Sequence, residues 1–152
     1  MKQFDLSLII ACYNEEPHLR KSIDAVMTVL RGSVFSYEVI VVDDKSEDKT
    51  RGIIASIVKK NKNFRVLYHS VNLGRGKTVR DGIAIARGKV VGFIDIDLEV
   101  SPVYIPQFVR MILSGEADIV TGLRVYREGV ASLHRSVLSR GYSWLVRSAL
   151  GI

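Results

Sequence analysis

The sequence predicts an α/β fold, a mostly parallel, Rossmann-like sheet flanked by helices. Short runs of β-branched and aliphatic residues alternate with segments of helical periodicity, the order that a parallel sheet with crossover helices produces. Three of the apolar runs end in polar clusters, Tyr13-Asn14-Glu15, Asp43-Asp44 and Asp95-Ile96-Asp97, and in open α/β sheets ligands collect beyond such strand ends. The length of 152 residues, 47% hydrophobic and 25% charged, suits one domain over 1–152 with a core of its own.

The elements follow in order. Residues 6–12 (LSLIIAC) form a first buried strand. Helical spacing of Leu19, Ile23, Val26, Met27 and Leu30 predicts a helix over 16–30, with Pro17 in its first turn and Gly32 as its stop. A second strand, 38–42 (EVIVV), runs into Asp43-Asp44. Ser46 or Asp48 caps a second helix whose apolar positions are Ile53, Ile54, Ile57 and Val58. A third strand covers 64–69. Gly74-Arg75-Gly76-Lys77 then opens a helix that carries Val79, Ile83 and Ala86 and is closed by Gly88. The fourth strand, 89–94 (KVVGFI), leads into Asp95 and Asp97. A helix over 102–113, a short strand over 118–121 and a helical pattern over 131–152 complete the chain. That last pattern stops within or just after a helix, as expected for the first part of a longer protein.

Composition narrows the function. Normal hydrophobic and charged fractions exclude disorder and collagen-like repeats. One cysteine, Cys12, excludes a disulfide framework or a cysteine zinc site within the chain and fits a reducing compartment. No apolar run approaches the roughly 18 residues of a membrane span, and the opening MKQFDLSLIIACYNEE reads as a strand rather than a secretory signal. The formal charge of +6 suggests an anionic partner. Its distribution argues against nucleic acid. Acidic residues cluster in 43–48 and 95–99, while 124–147 holds five arginines and one glutamate. Acidic clusters fit a metal-and-diphosphate site, and no base-stacking platform or groove-reading motif accompanies the basic residues.

Asp95 and Asp97 are two residues apart and share a face on extended backbone. Two such carboxylates repel unless a cation lies between them. Mg²⁺ or Mn²⁺ fits, as hard ions that take oxygen ligands and leave positions open for phosphates. Glu99 continues the spacing and can add a third oxygen or stay solvated. The segment 74–78 (GRGKT) is not a P-loop, because the first glycine would fall at Val71. Its glycines would still let Lys77 or Arg80 approach an anion at the helix start. His18, His69 and His134 lack metal spacing and read as structural or surface residues, and Cys12 reads as a small buried hydrophobe.

Taken together, IIACYNEE, EVIVVDDKSEDKT, NLGRGKTVRDGIAIARG and VVGFIDIDLEVSP resemble the family 2 glycosyltransferases of GT-A fold. Dolichol-phosphate mannosyltransferases and polyprenyl-phosphate glucosyltransferases are the nearest in pattern. The resemblance runs from Leu6 to Arg124. It implies transfer of a sugar from a UDP- or GDP-sugar, with inversion, to a polyprenyl (dolichyl-type) phosphate. It also implies that Ala11, Tyr13 and Glu15 line the nucleoside pocket and that Val42 and Asp44 hold the base. Asp95-Ile96-Asp97 would be the DxD motif, with Asp95, Asp97 and Glu99 on the metal and Asp97 in the catalytic centre. Arg124, in Gly122-Leu123-Arg124 where the family has Gly-Ser-Arg, would contact donor phosphate or acceptor. The family often has proline where Ala11 stands, so the loop bearing Tyr13 is expected to be less rigid.

Two expectations follow from the tail. Its arginines, with Trp144 and Leu145, suit peripheral contact with an anionic membrane, which places the protein at the cytoplasmic face of a membrane. An apolar face left uncovered there would instead lead to self-association. The alternative to an enzyme is a non-catalytic nucleotide-sugar-binding domain.

Overall fold

A computed structural model describes residues 4–122. The residues up to Thr121 form one compact unit. Its strands are β1 (Phe4–Cys12), β2 (Tyr37–Asp43), β3 (Phe64–Tyr68) and β4 (Gly88–Asp95), alternating with helices α1 (Leu19–Arg31), α2 (Thr50–Lys60) and α3 (Arg75–Ala84). A 3₁₀ turn, Pro102–Tyr104, leads into α4 (Ile105–Leu113). All strand pairs are parallel and the sheet order is β3-β2-β1-β4. This is the architecture that alternating strand and helix patterns predict.

Strand alternation sorts the core into two layers. Leu6, Leu8, Ile10 and Cys12 of β1, with Val39 and Val41 of β2, face Leu19, Ile23, Val26 and Leu30 of α1, Ile54 of α2 and Val109 of α4. The opposite face carries Ile9, Ile40 and Val42. Each fully buried side chain of this size stabilises the fold by about 1.5–3 kcal/mol.

Several boundaries differ from expectation. Pro17 lies in a turn before α1 rather than in its first turn. The N–H groups of His18 and Leu19 both go to the Glu15 carbonyl, so the helix starts at Leu19. Neither Ser46 nor Asp48 is the residue that immediately precedes α2, which is Lys49. Asp48 still accepts from Thr50 N at 2.9 Å.

Helix α3 turns its small face inward: its buried residues are Thr78 and Gly82, while Ile83 is exposed. A Cβ at Gly82 would lie 2.7 Å from Ile9 Cγ2 and 3.1 Å from Val42 Cγ2, so the helix approaches the sheet closely. Gly88 does not close α3 but begins β4, where a Cβ would stand 2.4 Å from the Ser7 amide nitrogen. Residues 118–121 form no strand and pair with nothing in the described sheet. The helical pattern over 131–152 lies outside the described residues.

At the amino end of the sheet, buried Glu38 joins three elements. Ser7 Oγ donates to Glu38 Oε1 at 2.7 Å and Arg65 Nη1 to Oε2 at 3.1 Å. Arg87 N donates to Glu38 Oε1 at 2.8 Å and Gly88 N to Ser7 Oγ at 2.7 Å. Burial would raise the Glu38 carboxyl, but these donors hold it below the usual carboxylate range.

Candidate functional site

Because every strand runs the same way, the carboxyl ends of β1, β2 and β4 meet at one edge. Ala11 pairs in register with both Val42 and Asp95, so residues far apart in sequence share one row. Backbone strain collects there. Asn14 (φ 54°), Lys45 (φ 64°) and Leu98 (φ 53°) are the non-glycine residues of positive φ among those described, each just past one of these three strands.

The loop after β1 is fastened to the loop after β2 by side-chain bonds to backbone. Asn14 N donates to Ser46 Oγ at 2.9 Å, and Glu47 N returns a bond to Asn14 Oδ1 at 2.8 Å. Glu15 N donates to Thr50 Oγ1 at 2.8 Å and Glu16 N to Asp48 Oδ2 at 3.0 Å. These bonds give the loop bearing Tyr13 a tether that does not depend on proline at Ala11. Tyr13 stands out from it, 46% exposed. Glu15 is partly buried. Burial pushes its carboxyl up, His18 pulls it down, and the charges of Asp97 and Asp48 push it up again, leaving it above the usual range. The register that sets Ala11 beside Asp95 brings the β1 and β4 ends together.

Val42 is fully buried, on the sheet face that α3 approaches through Gly82. Asp44 is also buried, 3% exposed. Its Oδ1 accepts from Leu73 N and contacts His69 Nδ1, and its Oδ2 accepts from Gly74 N, all at 2.8 Å. Burial alone would raise this carboxyl, but His69 and the two amides hold it below the usual range. Asp44 therefore anchors the loop that starts α3. On its other side His69 Nε2 lies 3.3 Å from Asp81 Oδ2, and Asp81 is bound in turn by Lys77. Its structural reading holds. Cys12 is buried, and burial with the Asp43 and Glu15 charges pushes its thiol up, consistent with an inert core residue.

Asp95 ends β4. Ile96 packs in the core at 5% exposure, leaving its backbone between the two carboxylates. The chain does not stay extended beyond Asp95, because Leu98 N donates to the Asp95 carbonyl at 3.1 Å and closes a turn. The spacing argument that aligned Glu99 with the pair therefore stops at Asp95. Asp97 is exposed, and its Oδ1 accepts from Glu99 N at 3.1 Å. Arg124 lies outside the described residues.

Sequence reasoning missed Arg75. It assigned the anion-facing role on α3 to Lys77 or Arg80, whereas Lys77 pairs with Asp81 within the helix. Arg75 reaches across to β4, with Nη2 2.5 Å from Asp95 Oδ2 and its guanidinium 5.9 Å from the centroid of the Phe93 ring. Phe93 and Asp95 are two apart on β4 and share its outer face, a signal that was present in the sequence.

Among the described residues no three acidic, histidine or cysteine side chains gather into a metal cage. Two neighbouring carboxylates nevertheless suit Mg²⁺ or Mn²⁺, which take few protein ligands and leave places for phosphate. A guanidinium on Asp95 shows that this carboxylate already attracts a cation.

The chain is similar to proteins of known kind. It is 33% identical to the dolichyl-phosphate beta-glucosyltransferase ALG5A of Trichomonas vaginalis over 97 residues, 60% of this chain and 30% of that protein. It superposes on S. aureus TarS 1-349 in complex with UDP-GlcNAc with a TM-score of 0.62 and 27% identity, over 81% of this chain and 37% of that one. Mannosyltransferase PcManGT from Pyrobaculum calidifontis, in complex with GDP-Man and Mn²⁺, has a TM-score of 0.61 and 19% identity, over 72% of this chain and 32% of that one, and shares the fold. The chain spans about a quarter to under a half of the length of the curated relatives it matches. Residues 7–145 match the family described as Glycosyl transferase family 2, a stretch that includes all three strand ends described above, and the chain belongs to that family.

Proposed function

We propose that this chain is the donor-binding part of a metal-assisted, inverting glycosyltransferase that uses a UDP- or GDP-sugar and a polyprenyl phosphate acceptor. The observation that carries this reading is that Asp95, paired to a cation, ends β4 beside Ala11, at the strand edge that also bears the fastened loop of Tyr13 and Glu15. Family membership, and relatives whose names include a dolichyl-phosphate glucosyltransferase and a UDP-GlcNAc complex, support the donor and acceptor classes.

In this reading Asp95 and Asp97 hold Mg²⁺ or Mn²⁺, with Glu99 as a further oxygen donor. The ion, when bound, supplies Lewis acidity and positive charge to the departing diphosphate. Ala11, Tyr13 and Glu15 form the nucleoside side of the site. Val42 and Asp44 hold the base, and Asp44 also fixes the loop beside it through Leu73 N and Gly74 N. Arg124 adds a guanidinium for donor phosphate or acceptor. An acceptor phosphate oxygen attacks the anomeric carbon opposite the leaving group, so a single displacement inverts it. That oxygen is already ionised near neutral pH, and no side chain need remove a proton. A lipid-linked acceptor puts the reaction at a membrane surface, which in this reading is the cytoplasmic one.

Calorimetric titration of the chain with UDP and with GDP, each with and without Mn²⁺, tests the proposal. Metal-dependent binding of one nucleotide, lost in Asp97→Ala, is the expected result. No binding of either by a folded chain would overturn it. Binding without transfer to dolichyl phosphate, in this chain and in a longer form alike, would make it a nucleotide-sugar-binding domain instead.

A further inference from the structure

We propose that Arg75 is the counter-ion of Asp95 while no metal is present, and that its displacement couples the binding of the divalent ion to that of the nucleoside diphosphate. This rests on the metal-site reading above and adds a residue and an order of events to it.

The backbone under Arg75 is fixed, while its side chain is exposed apart from its contacts with Asp95 and Phe93. Gly74, in a positive-φ conformation (φ 82°), is held by Asp44, as is Leu73. Thr78 N and Thr78 Oγ1 both donate to the Gly74 carbonyl, at 3.1 and 2.9 Å. The first residue of α3 is thus anchored through a buried carboxylate. The Arg75 side chain beyond it is 64% exposed, so it can swing without disturbing packing. Lys77 and Arg80 stay on their own helix, near Asp81.

The resting place of the guanidinium is built from β4. Phe93 and Asp95 present a ring and a carboxylate on one face, and Arg75 lies over the first while it binds the second. Phe93 is 54% exposed, and the Arg75 guanidinium lies over its ring. Ile94 and Ile96, the alternate residues, point to the core.

A divalent ion on Asp95 competes with the guanidinium for Oδ2. Mg²⁺ needs its oxygen ligands at roughly 2.0–2.1 Å, and Asp95 Oδ2 already has a guanidinium nitrogen at 2.5 Å. Two cations on one carboxylate repel, so the metal alone weakens the Arg75 pair and favours its release into water. A nucleoside diphosphate arriving with the metal changes the balance, because phosphate oxygens accept a guanidinium at least as well as a carboxylate does. Arg75 then exchanges one anion for another, and each ligand strengthens the other by the same factor, as linkage requires.

The test measures Mn²⁺ binding to the 152-residue chain by electron paramagnetic resonance, first alone and then with saturating UDP or GDP. Arg75→Ala should bind free Mn²⁺ about three- to tenfold more tightly than the parent, since it loses an exposed ion pair and a nearby positive charge. Its further gain on adding nucleotide should be smaller by at least that factor. Arg75→Lys, which keeps the charge without the fork, should fall between. The difference should narrow at high salt. Equal free-Mn²⁺ affinity in parent and Arg75→Ala, with Mn²⁺ bound by both, overturns the counter-ion role and leaves the metal site standing. Failure of both proteins to bind Mn²⁺ with either nucleotide overturns the metal site and this proposal together.

Discussion

Asp44→Asn keeps the size of a buried side chain while it removes a charge and one acceptor. The carboxylate serves three donors at 2.8 Å, Leu73 N and His69 Nδ1 on one oxygen and Gly74 N on the other. An amide oxygen in the Oδ1 position keeps the first two, and its NH₂ group then faces the Gly74 N–H. A charge-assisted bond contributes about 1.5–3 kcal/mol. Gly74 N also reaches Asn72 Oδ1 at 3.2 Å, which softens the loss, so the expected cost is about 2 kcal/mol. Against a total of about 5–15 kcal/mol, that is large. Urea unfolding at neutral pH should show a midpoint lower by about 1 M at unchanged slope. The sign with pH follows from the depressed carboxyl of the folded state. Its contribution is fully present above the unfolded value of about 3.9 and drains away as pH falls through the folded one. The gap between parent and variant should therefore narrow only below about pH 4. A loss under about 0.5 kcal/mol, or a gap that narrows toward alkaline pH, would refute the anchoring role.

Gly88→Ala should cost about 3 kcal/mol, the upper end for overpacking, because the new Cβ meets the backbone of Ser7 and Leu6 rather than movable side chains. A thermal midpoint within 2 °C or so of the parent would show that the β1–β4 contact yields easily. Arg51→Ala removes the 2.6 Å partner of Asp43, whose fully buried carboxylate otherwise accepts, among the described residues, from Ser46 N at 3.3–3.4 Å. Arg51 is itself 41% exposed, so the loss should be about 2 kcal/mol rather than the 3–5 of a wholly buried pair. It would be read as a lower unfolding midpoint, and an unchanged midpoint would mean that water replaces the guanidinium.

What could be read in the sequence was whatever periodicity controls. The four strands and the first helix follow from runs such as LSLIIAC and EVIVV and from the spacing of Leu19, Ile23, Val26 and Leu30. The shared edge follows from the parallel order, so the sequence already sets Glu15, Asp44 and Asp95 at the same ends of strands that whole helices separate. Helix α3 misled because close packing reverses the usual sign: Gly82 and Thr78 lie inward, and the apolar Ile83 lies outward. Gly88 read as a helix stop because nothing local reports that another strand's backbone will pass within van der Waals contact. The turn after Asp95 was hidden for a related reason. A leucine at φ 53° is not a turn signal, and the hydrogen bond that closes the turn is a property of the folded backbone. Arg75 was in plain view, but its partner lies 20 residues away on a different element.

The Ser7–Glu38 pair has a consequence for the order in which the chain folds. Ser7 meets Glu38 across 31 residues but meets Gly88 across 81. Closing the longer loop costs about 0.9 kcal/mol more entropy than closing the shorter one, and the last donors to this buried cluster come from the far end of that loop. A chain that ends with α2 contains both β1 and β2 but lacks Arg65 and Arg87, two of the donors that hold the Glu38 carboxylate in the folded protein. The sheet is sealed at this point only when Gly88 has been synthesised and drawn beneath Ser7.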